Sequence, residues 1–164
     1  MDALDAETRA HERPRDHKAE LRLWLRLLTC TTLIEAEIRR RLRAHFDTTL
    51  PRFDFLAQLD KADGLTLGEV SRRMMVSNGN VTGLAERLAA EGLIERRAAP
   101  NDRRVQHVSL APAGRRLFAG MAAAHEAWIA ELFADLAPDD IASLMSLLAK
   151  AKASARRHRA EDET

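Results

Sequence analysis

The sequence predicts a mainly α-helical fold with one small β-hairpin. Three observations lead there. Apolar residues recur at helical spacing over most of the chain. The composition is rich in Ala, Leu and Arg and contains no Tyr. Strand-like signals are confined to one stretch, residues 93–110. At 164 residues the chain fits one domain, or a small domain with oligomerisation arms.

Residues 1–17 are polar, mixed in charge and contain Pro14, and read as a flexible arm. A first helix is expected over 18–44, with Leu21, Trp24, Leu25, Leu28, Ile34, Ile38 and Leu42 on one stripe. About 27 residues span ~40 Å, too long for one small domain to cover. Residues 18–50 therefore read as a dimerisation segment. Pro51 suits the start of a second helix, which Gly64 ends, and Phe53 and Leu56 form its inner face. A third helix over 67–74 has Thr66 as N-cap and Glu69 three residues on, a capping box. A fourth, over 77–91, starts at the N-cap Ser77 and stops at Gly92. Its inward positions are Val81, Leu84, Ala85 and Leu88. Strands are expected over 93–98 and 104–110, joined by a Pro-Asn-Asp turn. Pro112 starts a helix to about residue 136, and Pro138-Asp139-Asp140 breaks and restarts it. The last helix, to about 157, carries Ile141, Leu144, Met145 and Leu148. The third and fourth helices with the hairpin outline a winged helix-turn-helix over 51–111, and 112–164 reads as C-terminal dimerisation helices and tail.

The fourth helix bears chemistry that suits nucleic acid. Asn78, Asn80, Thr82 and Arg87 offer amide, hydroxyl and guanidinium groups of the kind that read base edges in a major groove. The N–H groups freed near Ser77 suit a phosphate. Gly79 and Gly83 cost roughly 1 kcal/mol each relative to Ala, a cost explained if the backbone must lie close to a DNA strand. Arg103 and Arg104 at the hairpin tip suit a narrow minor groove. Formal net charge is only +1, so positive charge must be concentrated locally. From Glu86 to Arg116 seven arginines (87, 96, 97, 103, 104, 115, 116) face four acids (86, 91, 95, 102). The plain alternative is a helix-hairpin surface with solvated charges.

Other classes find little support. The single cysteine, Cys30, excludes an intramolecular disulfide and reads as a buried structural residue. Neither a signal peptide nor a membrane span is expected, and the chain reads as soluble and cytoplasmic. There is no HxxxH, CxxC, HExxH, P-loop, GxGxxG or GxSxG, so no catalytic residue, metal site or cofactor is assigned.

The segment 81–97, VTGLAERLAAEGLIERR, with Asp102-Arg103-Arg104 and VSLAPAGRR at 108–116, resembles the winged helix-turn-helix of the MarR family of bacterial transcription regulators. The flanking helices extend the likeness over nearly the whole chain. The resemblance implies a two-fold homodimer on a pseudo-palindromic double-stranded DNA operator, with half-sites roughly 10 bp apart. It implies that Arg104 enters the minor groove, held by Asp102, with Arg103 beside it. Ala111 departs from the family's usual Thr, losing a cap worth ~1 kcal/mol.

Arg39, Arg40, Arg41 and Arg43 form a run that cannot share one helix face. It reads either as a solvated surface or as an anion site, since the guanidinium fork matches carboxylate and phosphate. The segment 24–59 is similar to a MarR branch responding to aryl-CoA thioesters. The resemblance implies a small aromatic, CoA-linked effector near Trp24, Arg39, Arg40, Arg43, His45, Phe46, Arg52 and Phe53. The function expected is a homodimeric DNA-binding repressor released by that effector. The alternatives are a redox- or metal-responsive MarR-type regulator and, in a different class, a thioester-acting enzyme.

Overall fold

A computed structural model describes residues 18–62, 64–99 and 102–162. Its elements are α1 (Lys18–Phe46), α2 (Leu50–Asp60), β1 (Leu65–Thr66), α3 (Leu67–Met74), α4 (Asn78–Ala90), β2 (Ile94–Ala99), β3 (Asp102–Leu110), α5 (Pro112–Leu132) and α6 (Pro138–Asp162). They fall into two compact units, one up to Glu126 and one from Ala127 onward. The helices lie where the periodicity places them, with ends shifted by a few residues. The sheet has a third strand, β1, that the sequence does not announce: two residues are too few to show alternation.

The first unit is built around an apolar core. Phe55, Leu56 and Leu59 of α2, Val70 of α3, and Val81, Ala85 and Leu88 of α4 are almost wholly buried. Ile38 and Leu42 from the C-terminal end of α1 join them, with Val108 of β3 and Met121 of α5. Phe53 stacks in a tilted arrangement on Phe118 at 5.5 Å and on His125 at 4.8 Å. Burial lowers the pKa of that histidine.

The sheet is antiparallel in the order β1-β3-β2. Leu65 of β1 pairs with Val108, and Ile94 of β2 pairs with Leu110, so all four side chains reach the core face. The β2–β3 register runs evenly to Ala98–Gln106 and then jumps to Ala99–Asp102. Residues 103–105 of β3 thus fall in an irregular part of the ladder, the kind of feature that re-aims side chains.

The base of the hairpin is locked to α5. The Leu93 carbonyl accepts the Ala111 N–H at 3.0 Å, which ties the residue before α5 to the start of the hairpin. Gly114 packs against the same carbonyl. A Cβ there would lie 1.9 Å from Leu93 O, and both sides of that clash are backbone.

Two helices present apolar faces without cover in the single chain. On α1 only Ile38 and Leu42 are buried, while Leu21, Leu23, Trp24, Leu28 and Leu33 are exposed. In the second unit, α6 exposes Ile141, Leu144, Met145, Leu147 and Leu148. Cys30 is exposed on α1, which corrects the expectation of a buried structural cysteine. Among the described residues no helix covers the stripe around it. No helix among the described residues is long and apolar enough to cross a membrane.

Replacement of Gly114 by Ala is expected to destabilise the chain by about 3 kcal/mol, the upper end for overpacking. Urea unfolding of the variant checks this. A loss below about 0.5 kcal/mol, the range of neutral surface changes, would mean that the hairpin–α5 junction has slack.

Candidate nucleic-acid interface

Helix α4, the candidate reading helix, is presented by α3 across a tight turn. Thr66 and Glu69 form the capping box at the start of α3: the Glu69 N–H donates to Thr66 Oγ1 at 3.2 Å and the Thr66 N–H to Glu69 Oε2 at 2.7 Å. These bonds hold the Glu69 carboxyl below its usual range. At the other end Met75 takes a left-handed conformation, φ 55°. The Val76 N–H then reaches Ser71 O at 3.2 Å, and the buried Ser71 hydroxyl donates back to Val76 O at 2.6 Å. A left-handed residue with a side chain costs roughly 1–2 kcal/mol. Met75 meets that cost without packing its side chain, which is 86% exposed.

Ser77 caps α4, its Oγ accepting the Asn80 N–H at a long 3.5 Å. Gly92, φ +70°, ends it, with Gly92 N–H to Ala89 O at 3.0 Å and Leu93 N–H to Leu88 O at 2.9 Å. Between these ends the helix has two faces. Val81, Leu84, Ala85 and Leu88 face the core. At about 100° per residue, Gly79 and Gly83 fall on the outward crest, and a Cβ on either would meet nothing within 4 Å. Asn78 and Thr82 flank the crest on one side, and Asn80 and Arg87 on the other. Thr82 Oγ1 donates to Asn78 O at 3.0 Å within the helix, leaving its lone pairs to accept from outside. The first two turns of the crest are therefore bare backbone between two rows of polar groups, and the exposed Glu86 and Ala90 follow on the same line.

Asp102, Arg103 and Arg104 lie on β3, in the irregular part of the ladder beside the hairpin tip. Their side chains are outside the described residues, as are residues 100 and 101.

A cavity of about 750 Å³ opens beside α4, between its Asn80–Arg87 flank, the end of α1 and the start of α2. Arg39, Arg43, Arg52 and Arg87 supply its charge, and Leu50, Pro51, Val76 and Leu84 its apolar wall. Arg52 makes a two-pronged ion pair with Glu91, the residue closing α4, with Nη1–Oε1 at 2.7 Å and a second contact from Nη2 to Oε2. The pair lowers the pKa of the Glu91 carboxyl and raises that of Arg52.

Of the residues expected to receive an effector, Arg39, Arg43 and Arg52 line this cavity. The others do not. Trp24 is 58% exposed far along α1. Phe53 belongs to the aromatic core, where its ring is fully occupied by Phe118 and His125. His45 and Phe46 end α1 away from the lining. Arg40 pairs with Glu37, whose carboxyl is held down at about 2 by hydrogen bonds from Arg40 and Arg41. Arg39 also pairs with Glu35, at 2.8 Å. The arginine run thus divides: Arg39 and Arg43 turn to the cavity, and Arg40 stays with α1. Sequence reasoning missed Thr48, Thr49, Ser71 and Glu91. Glu91 left one signal, an acid at the negative end of a helix dipole, where it needs a cation nearby.

A model of the MarR family matches residues 46–105. The chain is 28% identical over 139 residues to the HTH-type transcriptional regulator YsmB of Bacillus subtilis, covering 82% of this chain and 93% of that one. It is 29% identical over 141 residues to the transcriptional activatory protein BadR of Rhodopseudomonas palustris, covering 82% and 80%. Among solved structures it resembles a mutant MarR from Escherichia coli complexed with operator DNA. That match has a TM-score of 0.72 and 26% identity, and covers 84% of this chain and 99% of that one. The apo form of wild-type MarR gives a TM-score of 0.68 at 25% identity, covering 76% and 93%.

Proposed function

The chain belongs to the MarR family of DNA-binding transcriptional regulators, and from that premise we propose that it is a homodimeric repressor released from a pseudo-palindromic operator by a small aromatic effector. The observation that carries the DNA half of this reading is α4, with a bare glycine crest between Asn78, Thr82, Asn80 and Arg87. In a major groove the crest lets the backbone approach while the flanking groups meet base edges. Ser77 at the helix start suits a phosphate. Asp102, Arg103 and Arg104 belong to the wing, with Arg104 as the minor-groove residue. Residues 51–111 are the DNA-binding domain, and 18–50 and 112–164 supply the dimer contacts. The protein works in the cytoplasm.

The effector half rests on the cavity. Its volume is in the range of small-molecule sites. Four arginines with one apolar wall suit a ligand that has both an aryl group and phosphates, as an aryl-CoA thioester has. Because the reading helix is one wall, a ligand that fits a displaced helix better must weaken DNA binding in return. The same mechanism serves activation, which the name of the R. palustris relative favours.

The dimer reading rests on the uncovered apolar faces of α1 and α6.

Arg104→Ala is expected to weaken specific operator binding by about 1–3 kcal/mol, read by fluorescence anisotropy on DNA from upstream of the gene. An unchanged affinity in a folded protein would sink the wing assignment. Gly83→Ala should raise stability by about 1 kcal/mol and yet weaken operator binding; equal affinity would show that nothing lies close to the crest. Leu144→Asp combined with Leu148→Asp should give monomers in sedimentation where the parent chain is dimeric. Persistent dimers would place the interface elsewhere.

A further inference from the structure

The ion pair between Arg52 and Glu91 joins residues 39 apart in sequence. It ties the start of α2 to the end of the reading helix. Three features make it unlike an ordinary surface pair. Arg52 is itself part of the cavity wall. Its Nε is buried and has no hydrogen-bond partner, so the guanidinium is under-satisfied while both Nη groups serve Glu91. Glu91 closes α4 at the end where the helix dipole is negative, a position that disfavours a carboxylate unless a cation stands against it.

We propose that this pair is a latch operated by an anionic ligand: a ligand seated in the cavity takes the Arg52 guanidinium from Glu91 and frees the C-terminal end of α4. The inference rests on the effector reading of the same cavity. Glu91 is exposed, so an incoming anion can approach the pair from solvent and compete for Arg52. Arg43 and Arg87 line the same cavity and raise the local concentration of anions. Once released, Glu91 lies one helical turn beyond Arg87, its next available cation. An Arg87 drawn toward Glu91 is withdrawn from the groove. The latch thus acts on the reading helix twice, by loosening its end and by engaging one of its DNA-facing groups. The closed latch favours DNA and the open latch favours the ligand, so each must weaken the other by the same factor.

The test uses the full-length protein, benzoyl coenzyme A as probe and coenzyme A alone as control, with DNA from upstream of the gene. Ligand binding is read by calorimetry and DNA binding by anisotropy. In the parent protein saturating thioester should weaken DNA binding about tenfold or more, within the usual range of allosteric coupling. Glu91→Gln removes the carboxylate that competes for Arg52. This variant should bind the thioester at least as tightly as the parent, yet its DNA affinity should change less than about twofold on adding it. Arg52→Gln should lose thioester affinity instead. Full coupling in Glu91→Gln, with the thioester bound, would overturn the latch and leave the effector reading standing. Failure of the parent protein to bind the thioester would overturn the effector reading and the latch that depends on it.

Discussion

Helix α4, proposed to read DNA, must be held firmly by one face while glycines keep the first turns of the opposite face bare, and the rest of the structure follows from that demand. Val81, Leu84 and Leu88 are each buried against the core, and such side chains contribute about 1.5–3 kcal/mol apiece. The two crest glycines oppose this by roughly 1 kcal/mol each. Burial wins, so α4 can lack side chains where a partner must come close and still be a helix. Its ends use the same economy. Gly92 closes one end by backbone hydrogen bonds, and the buried Ser71 hydroxyl pins the turn that leads into the other.

The fold was legible because its signals are local. The capping pair Thr66 and Glu69, the cap Ser77, the stop Gly92 and the apolar positions of α4 each act over three or four residues, and each is where periodicity and capping rules put it. Strand β1 was not legible, because Leu65 and Thr66 become a strand only through pairing with Val108 and His107. The candidate cavity was legible in composition but not in membership. The sequence shows an arginine run and nearby aromatics, yet which arginine faces inward depends on helix phase and on partners such as Glu35 and Glu37. Phe53 reads equally well as ligand wall or core until Phe118 and His125 are seen against it. Glu91 could not be assigned at all without knowing that Arg52, far away in sequence, lies beside it.

Electrostatics divides the chain in a way that its near-zero net charge conceals. On α1, Glu35 and Glu37 occupy Arg39, Arg40 and Arg41 within the helix. Such exposed pairs contribute little to stability, but they cancel charge that would otherwise attract anions along the whole helix. Arg43 and Arg87 make no ion pair among the described residues, and the cavity is where their positive potential remains. That potential draws anions toward the cavity beside α4.

Helix α1 connects that place to the proposed second copy of the chain. Its C-terminal end is anchored in the core by Ile38 and Leu42 and lends Arg39 and Arg43 to the cavity. Its N-terminal part has exposed Leu21, Trp24 and Leu28, which nothing among the described residues covers. Most helical stability in proteins comes from packing an apolar face, so a covering partner would both stabilise α1 and set its direction. A dimer contact along α1 would then fix where the cavity arginines stand relative to α4. Ligand binding and subunit spacing would be joined through one rigid helix. In the proposed dimer two reading helices would have to meet successive major grooves together, so a shift of either one would be felt by both half-sites. A displacement too small to unfold anything is then enough to spoil the match.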